Sequence, residues 1–363
     1  MKKNSLLQAL MVLSLATMFY ACKKDNTPID PQSAHQKDVE KMIRFFKDHE
    51  PAVEKFTVDA AAGSTVTLQN GTKITFGPNA FVKPGGIVAT GNVTVSARVF
   101  IKASEMILAD KPPVTDAGQI LETFGEAFVT AEQNGQQLAL NPQQKPANVQ
   151  VPIAGANANG ANREIPMWDG DTTINVNMEY SGYNHENVFT TITRTYTIKK
   201  GMEWTQIPGS FGAGNAATTY FPLDKLGDWR NCDALYNMAA PKTTVLGYFG
   251  DKFNIKTGNN YSGQDPTELF FKVSGVNTLV KLYNPIFNPI AGKEGLLSYQ
   301  SSIPIGATGT FLAMSTVNGK FYAEMRDVTI AQDAGKNFMG ITFNLQEVSE
   351  AQLLQLIQQM NTK

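Results

Sequence analysis

Two cysteines in 363 residues leave no room for a disulfide framework. The three histidines, His35, His49 and His185, fall in no metal-ligand spacing and beside no nucleophile motif. That argues against a zinc centre and against a histidine-dependent hydrolase. Charged residues make up only 17% of the chain, and Lys and Arg nowhere run beyond a pair. With 31 bases against 32 acids there is no basic stripe, and nucleic acid is excluded as a partner. No short-period repeat of the solenoid kind recurs. What the chain does have is 30 Gly and 18 Pro, the punctuation of a turn-rich β protein.

The stretch from Gly63 to Ile101 carries that grammar most clearly. Three runs alternate apolar and polar residues with period two, as half-buried antiparallel strands do. Opposed residues in an antiparallel pair face the same side, so each hairpin can be checked by parity. A three-residue loop, Gln69-Asn70-Gly71, sets Val66 opposite Ile74 and Leu68 opposite Thr72, with Gly71 left-handed. A two-residue loop at Asn134-Gly135 pairs Ala131 with Leu138 and Val129 with Leu140. A third, at Asn318-Gly319, pairs Leu312 with Met325, Met314 with Ala323 and Thr316 with Phe321.

The amino terminus reads as an address. Lys2 and Lys3 precede the apolar run Leu6–Tyr20, which is shorter than the ~20 residues a spanning helix needs. A secretory signal fits better, and Ala21 before Cys22 supplies the small residue at a cleavage site. The segment resembles a bacterial lipoprotein signal, which implies lipidation of Cys22 and an anchor in the outer membrane. Lys23-Lys24-Asp25 resembles the charged tags that send some such lipoproteins to the cell surface.

The chain divides as follows. Residues 1–21 are the signal and 22–36 a polar tether. Residues 37–55 form an amphipathic helix with Val39, Met42, Ile43 and Phe46 on its apolar face. Residues 56–160 form a first β domain, and 161–217 a connecting hairpin and linker. In that hairpin the strand of Ile174, Val176, Met178 and Tyr180 pairs with that of Val188, Ile192, Tyr196 and Ile198. Residues 218–363 form a second β domain. It ends in a helix that Ser349 and Gln352 cap reciprocally, with Leu353, Leu354, Ile357 and Met360 as its stripe. The expected fold is mainly β: two antiparallel β-sandwich-like domains, one helix near the N-terminus and one C-terminal helix.

Residues 63–101, with Gly71-Thr72, Gly77-Pro78-Asn79-Ala80-Phe81 and Gly91, resemble a ZU-five domain. Similar modules occur in exported bacterial lipoproteins, where a run like Leu226–Asp233 recurs later in the chain. The resemblance implies a β-rich interaction module without a cofactor. Some relatives cut themselves at a His-Phe-Ser triplet, which this chain lacks.

Candidate chemistry is sparse. Glu122 and Glu126, four apart on one strand, are expected to share a face; a glycosidase reading would use this pair or carboxylates that the sequence does not pair. Asp169-Gly170-Asp171 resembles a fragment of a calcium loop but equally reads as a tight turn. Trp168, Trp204 and Trp229 are candidates for a sugar-stacking platform, or core. Cys232 has no base beside it and reads as a buried, inert thiol. The expectation is a non-enzymatic lipoprotein that binds an envelope protein or polysaccharide. The alternatives are a carbohydrate-active enzyme and a purely structural envelope protein.

Overall fold

The computed structural model describes residues 34–157, 159–172, 174–180, 192–198, 201–253, 266–282, 284–286, 289 and 291–363, with the backbone alone at 174–180 and 192–198. The signal, Cys22, most of the tether, His185 and Val188 lie outside the described residues. The protein is mainly β, with several antiparallel sheets.

The first sheet has eleven strands. Its main path runs Glu54–Asp59, Asn92–Phe100, Leu121–Gln133, Trp229–Leu235, Arg163–Asp171, Glu203–Gly214, Thr219–Leu223, Ala147–Val151, Lys73–Phe76, Ser64–Thr67. The sheet curls until its two edge strands, Glu54–Asp59 and Ser64–Thr67, lie side by side. Alternate residues fill the enclosed core, among them Val95, Ala97, Ala127, Val129, Val149 and Phe221. The separate ribbon Ile174–Tyr180 with Ile192–Ile198 has Ile174 opposite Ile198 and Val176 opposite Tyr196.

The second unit is a sandwich. One sheet runs Val280–Lys281, Glu268–Val273, Thr308–Val317, Lys320–Thr329, Gln346–Val348. The other is built on Lys242–Tyr248, with Phe338–Thr342 added in parallel. Val245, Leu269, Phe271, Phe311, Ile341 and Phe343 fill the space between them.

The hairpins take the registers that parity demands. Val66 faces Ile74, the Leu68 N–H donates to Thr72 O at 2.8 Å, and Gly71 has φ 84°. Leu312 faces Met325 and Thr316 faces Phe321. At Asn134-Gly135 the Leu138 N–H donates to Ala131 O, but the ladder ends there. Leu140 turns away to pair with Phe81, so it does not meet Val129.

Three expectations need correction. The sheet does not divide near residue 217. Thr219–Leu223 and Trp229–Leu235, assigned to the second domain, are strands of the first sheet, the latter near its centre. There is also a third helix, Ala103–Ala109 (α2), between Ala34–His49 (α1) and Glu350–Gln359 (α3). Finally, α1 spans 34–49 rather than 37–55, and its buried stripe is Val39, Met42 and Phe45, leaving Ile43 49% exposed.

The rotation of α1 follows from Asp38. Its carboxylate oxygens accept the N–H groups of Asn318 and Gly319 at 2.9 and 2.7 Å, and its carbonyl accepts Thr316 Oγ1 at 2.7 Å. The turn has positive φ at both central residues, and a buried carboxylate satisfies its outward N–H groups. All three helices cover the outer face of the Glu268–Val273 sheet, where Met42, Phe45, Met106, Phe270, Leu312 and Leu353 form one core. Asp38→Ala is expected to cost about 1–3 kcal/mol by orphaning these donors. Asp48→Ala, at the exposed end of α1, is expected to leave the urea midpoint unchanged.

Candidate functional site

Glu122 and Glu126 do not share a face. Thr123 lies opposite Asp233 and Glu126 opposite Asn231, so Phe124 and Gly125 together oppose Cys232 alone. This is a β-bulge, and Gly125 takes φ 143° within it. The extra residue reverses the alternation. Glu122 falls on the side of Ala234 and pairs with Arg163 at 3.4 Å. Glu126 falls on the opposite side, fully buried. A lone Gly inside an alternating strand is the sequence sign of such a bulge.

The bulge gathers Thr123, Glu126, Asn231 and Asp233 on one buried face. Thr123 Oγ1 donates to Asn231 Oδ1 at 3.2 Å, and Asn231 Nδ2 donates to Asp233 Oδ2 at 2.5 Å. Both carboxyl oxygens of Glu126 and Oδ1 of Asp233 have no hydrogen-bond partner. Burial, and secondarily Asp233, pushes the Glu126 pKa well above the carboxylate range. Burial likewise raises Asp233, against the hydrogen bonds it accepts. Both acids therefore hold their protons to higher pH in the fold than in the unfolded chain.

A second buried polar group lies where α2 meets the second unit. Lys281 Nζ is bonded to Asp110 Oδ1 and lies 2.9 Å from Glu268 Oε2. Burial works against the ammonium, but the two carboxylates outweigh it and raise the lysine pKa. Neighbouring Lys111, which burial pushes the other way, donates to Asp110 O at 3.4 Å.

Two of the three tryptophans are interior. Trp168 and Trp204 are buried with Leu121 and Met202, and their Nε1 groups donate to Asp233 O and Pro112 O. Trp229 lies 5.3 and 5.2 Å from the Phe100 and Phe128 ring centroids. It packs at the first sheet and the helices, not in the second domain. Trp168 and Trp204 are therefore core rather than ligand-stacking surface, while Trp229 stays half-buried. Asp169-Gly170-Asp171 is extended strand rather than a turn, and Asp169 binds the buried Arg230 guanidinium at 2.6 Å. Cys232 is free and buried, and burial raises its thiol pKa. His35 belongs to α1, and His49 meets Glu350 of α3 at 2.8 Å.

The surface feature that sequence reasoning missed is a cleft of about 230 Å³ where the first sheet meets the second unit. Gln119, Tyr236, Asn237, Lys242 and Ser302 line it with hydrogen-bonding groups, and Ile120, Leu235 and Pro304 with apolar ones. Leu235 is the exposed end of its strand, and the Tyr236 N–H donates to Ile120 O at 2.9 Å. These residues come from three distant segments, so no local motif marks them. No protein-family model matches the sequence, and no curated protein matches it.

The raised carboxyl pKa values have a pH consequence. A carboxyl whose folded pKa lies above its unfolded value holds its proton more tightly when folded. Its contribution is complete below about pH 4 and is lost as pH rises toward the folded pKa. Each acid then lowers stability by about 1.4 kcal/mol per pH unit across that window. Glu126→Gln keeps the shape and removes one such group. Its urea midpoint is expected to rise relative to wild type as pH goes from 5 to 8. Parallel pH profiles for the two proteins would contradict a raised Glu126 pKa.

Proposed function

We propose that the chain is an exported lipoprotein, anchored in the outer membrane through a lipid on Cys22, that acts as a non-enzymatic binding module at the cell envelope. Its partner is an envelope protein or a polysaccharide. The observation that carries this reading is the placement of the two carboxylates. A glycosidase needs its acid and its second carboxylate about 5–10 Å apart across one bond in a cleft. Here the bulge separates Glu122 and Glu126 onto opposite faces, with Glu126 inside the protein. The cleft at Leu235 and Tyr236 instead combines amide, hydroxyl and ammonium groups with an apolar floor. Such a lining holds a sugar or peptide segment through hydrogen bonds and apolar contact.

Two further features support the reading. Residues 63–101, which resemble a ZU-five domain, lie mostly in the curled first sheet. The helix that follows the tether is locked to the second unit through Asp38, so an anchor at Cys22 would hold the whole body at the membrane.

Labelled palmitate is expected to enter the wild-type protein and not Cys22→Ser, which should leave the membrane fraction. Protease shaving of intact cells then distinguishes an outward-facing partner from a periplasmic one. Unchanged labelling in Cys22→Ser would overturn the anchor. Polysaccharide cleavage by the purified protein, abolished in Glu122→Gln, would overturn the non-enzymatic reading.

A further inference from the structure

Lys281 lies between two carboxyl groups that reach it from different parts of the chain. Its Nζ is bonded to Asp110 Oδ1 and is 2.9 Å from Glu268 Oε2. The three side chains are 1%, 17% and 3% exposed, respectively, for Lys281, Asp110 and Glu268. Glu268 and Phe270 alternate on one strand, and Phe270 faces Lys281 across the ladder, so all three project from the same side. The Phe270 ring centroid is 5.5 Å from Nζ and helps close the site to water.

Asp110 approaches from the opposite direction, at the end of α2. It holds φ 54°, a left-handed cap conformation that aspartate, like asparagine, adopts, and this turns its carboxyl toward the second unit. The Gly201 N–H donates to Asp110 Oδ2 at 2.9 Å, which clamps the carboxyl with its other oxygen on the amine. A nucleophile, a carboxyl carbon and a second carboxyl are thus held together at a largely buried site, with Lys281 and Glu268 buried and Asp110 at its edge.

We propose that Lys281 and Asp110 join in an intramolecular isopeptide bond, with Glu268 carrying the proton. Glu268 takes a proton from the Lys281 ammonium. The free amine then forms an N–C bond to Asp110 Cγ. The proton held by Glu268 and a second proton from the nitrogen pass to one Asp110 oxygen. Its C–O bond breaks and water leaves. Glu268 returns to its starting form, charge is conserved, and neither oxidant nor metal is consumed. The two carboxylates keep the ammonium as the resting form, so the reaction is slow, but it has to occur only once per molecule. Fixed contact between the reacting groups supplies effective concentrations on the order of 10⁵ M or more. Burial then keeps water from reversing the step. The bond would tie α2 to the second unit and close a long loop, the arrangement in which a cross-link restricts the unfolded chain most.

The experiment is protease digestion of the denatured full chain followed by mass spectrometry. Wild type is expected to yield a branched peptide that joins the Asp110 segment to the Lys281 segment, lighter than the two together by one water. On a denaturing gel it should migrate ahead of Lys281→Arg, and Lys281→Arg and Glu268→Gln should give linear peptides only. Separate linear peptides at full mass from wild type, after prolonged incubation at neutral pH, would overturn the proposal and leave an ion pair. A branched peptide that persists in Glu268→Gln would overturn the role given to Glu268. If that variant does not fold, the wild-type digest alone decides whether the bond exists.

Discussion

The strands Glu268–Val273 and Thr308–Val317 are buried on both faces, and most of the architecture answers to that constraint. One face closes the sandwich through Phe271, Phe311 and Phe343. The other presents Phe270, Leu312 and Met314, which no second sheet covers. Leaving them in water would forgo about 1.5–3 kcal/mol for each large side chain. Three helices cover them, drawn from residues 34–49, 103–109 and 350–359. Early, middle and late parts of the chain must therefore converge on one layer. Phe100 and Trp229 of the first sheet extend the same core, so the two β units share their packing.

Polar groups at this joint lock the arrangement. Asn277 Nδ2 donates to the carbonyls of Ile101 and Thr123, tying a loop of the second unit to the first sheet. Ser104 and Asn361 exchange hydrogen bonds between the start of α2 and the helical end of the chain. Within the first sheet itself, Arg230, nearly buried, holds Asp224 and Asp169 at 2.6 Å each. Buried charges are tolerated only where partners meet them with good geometry. Each of these groups thereby fixes one arrangement of elements as well as adding to its stability. Glu126 and Asp233 differ, since no cation among the described residues meets them and burial raises both of their pKa values.

The hairpins at Gln69–Gly71 and Asn318-Gly319 were legible because turn chemistry and period-two alternation lie within about ten residues of each other. The Ser349 capping box was legible for the same reason, and its reciprocal hydrogen bonds form. Helix α2 was not legible, since seven residues span two turns and Ala103–Ala109 is apolar nearly all round. The face of Glu126 was misread because one inserted residue at Gly125 inverts a whole strand's alternation. The stripe on α1 was misread because Ile43 and Phe45 are equally apolar, and only the distant Asn318-Gly319 turn selects between them.

Composition and local pattern by themselves determined the β class, the registers of the Gln69–Gly71 and Asn318-Gly319 hairpins and the C-terminal cap, because each depends on neighbours in the chain. Only the tertiary structure decided where the sheets divide, which carboxylates face one another, that Trp168 and Trp204 are interior, and that Asp110 meets Lys281. Those contacts join residues as far as 171 positions apart. They are set by which exposed faces must cover one another once the strands have formed, and that competition is not written in any single segment.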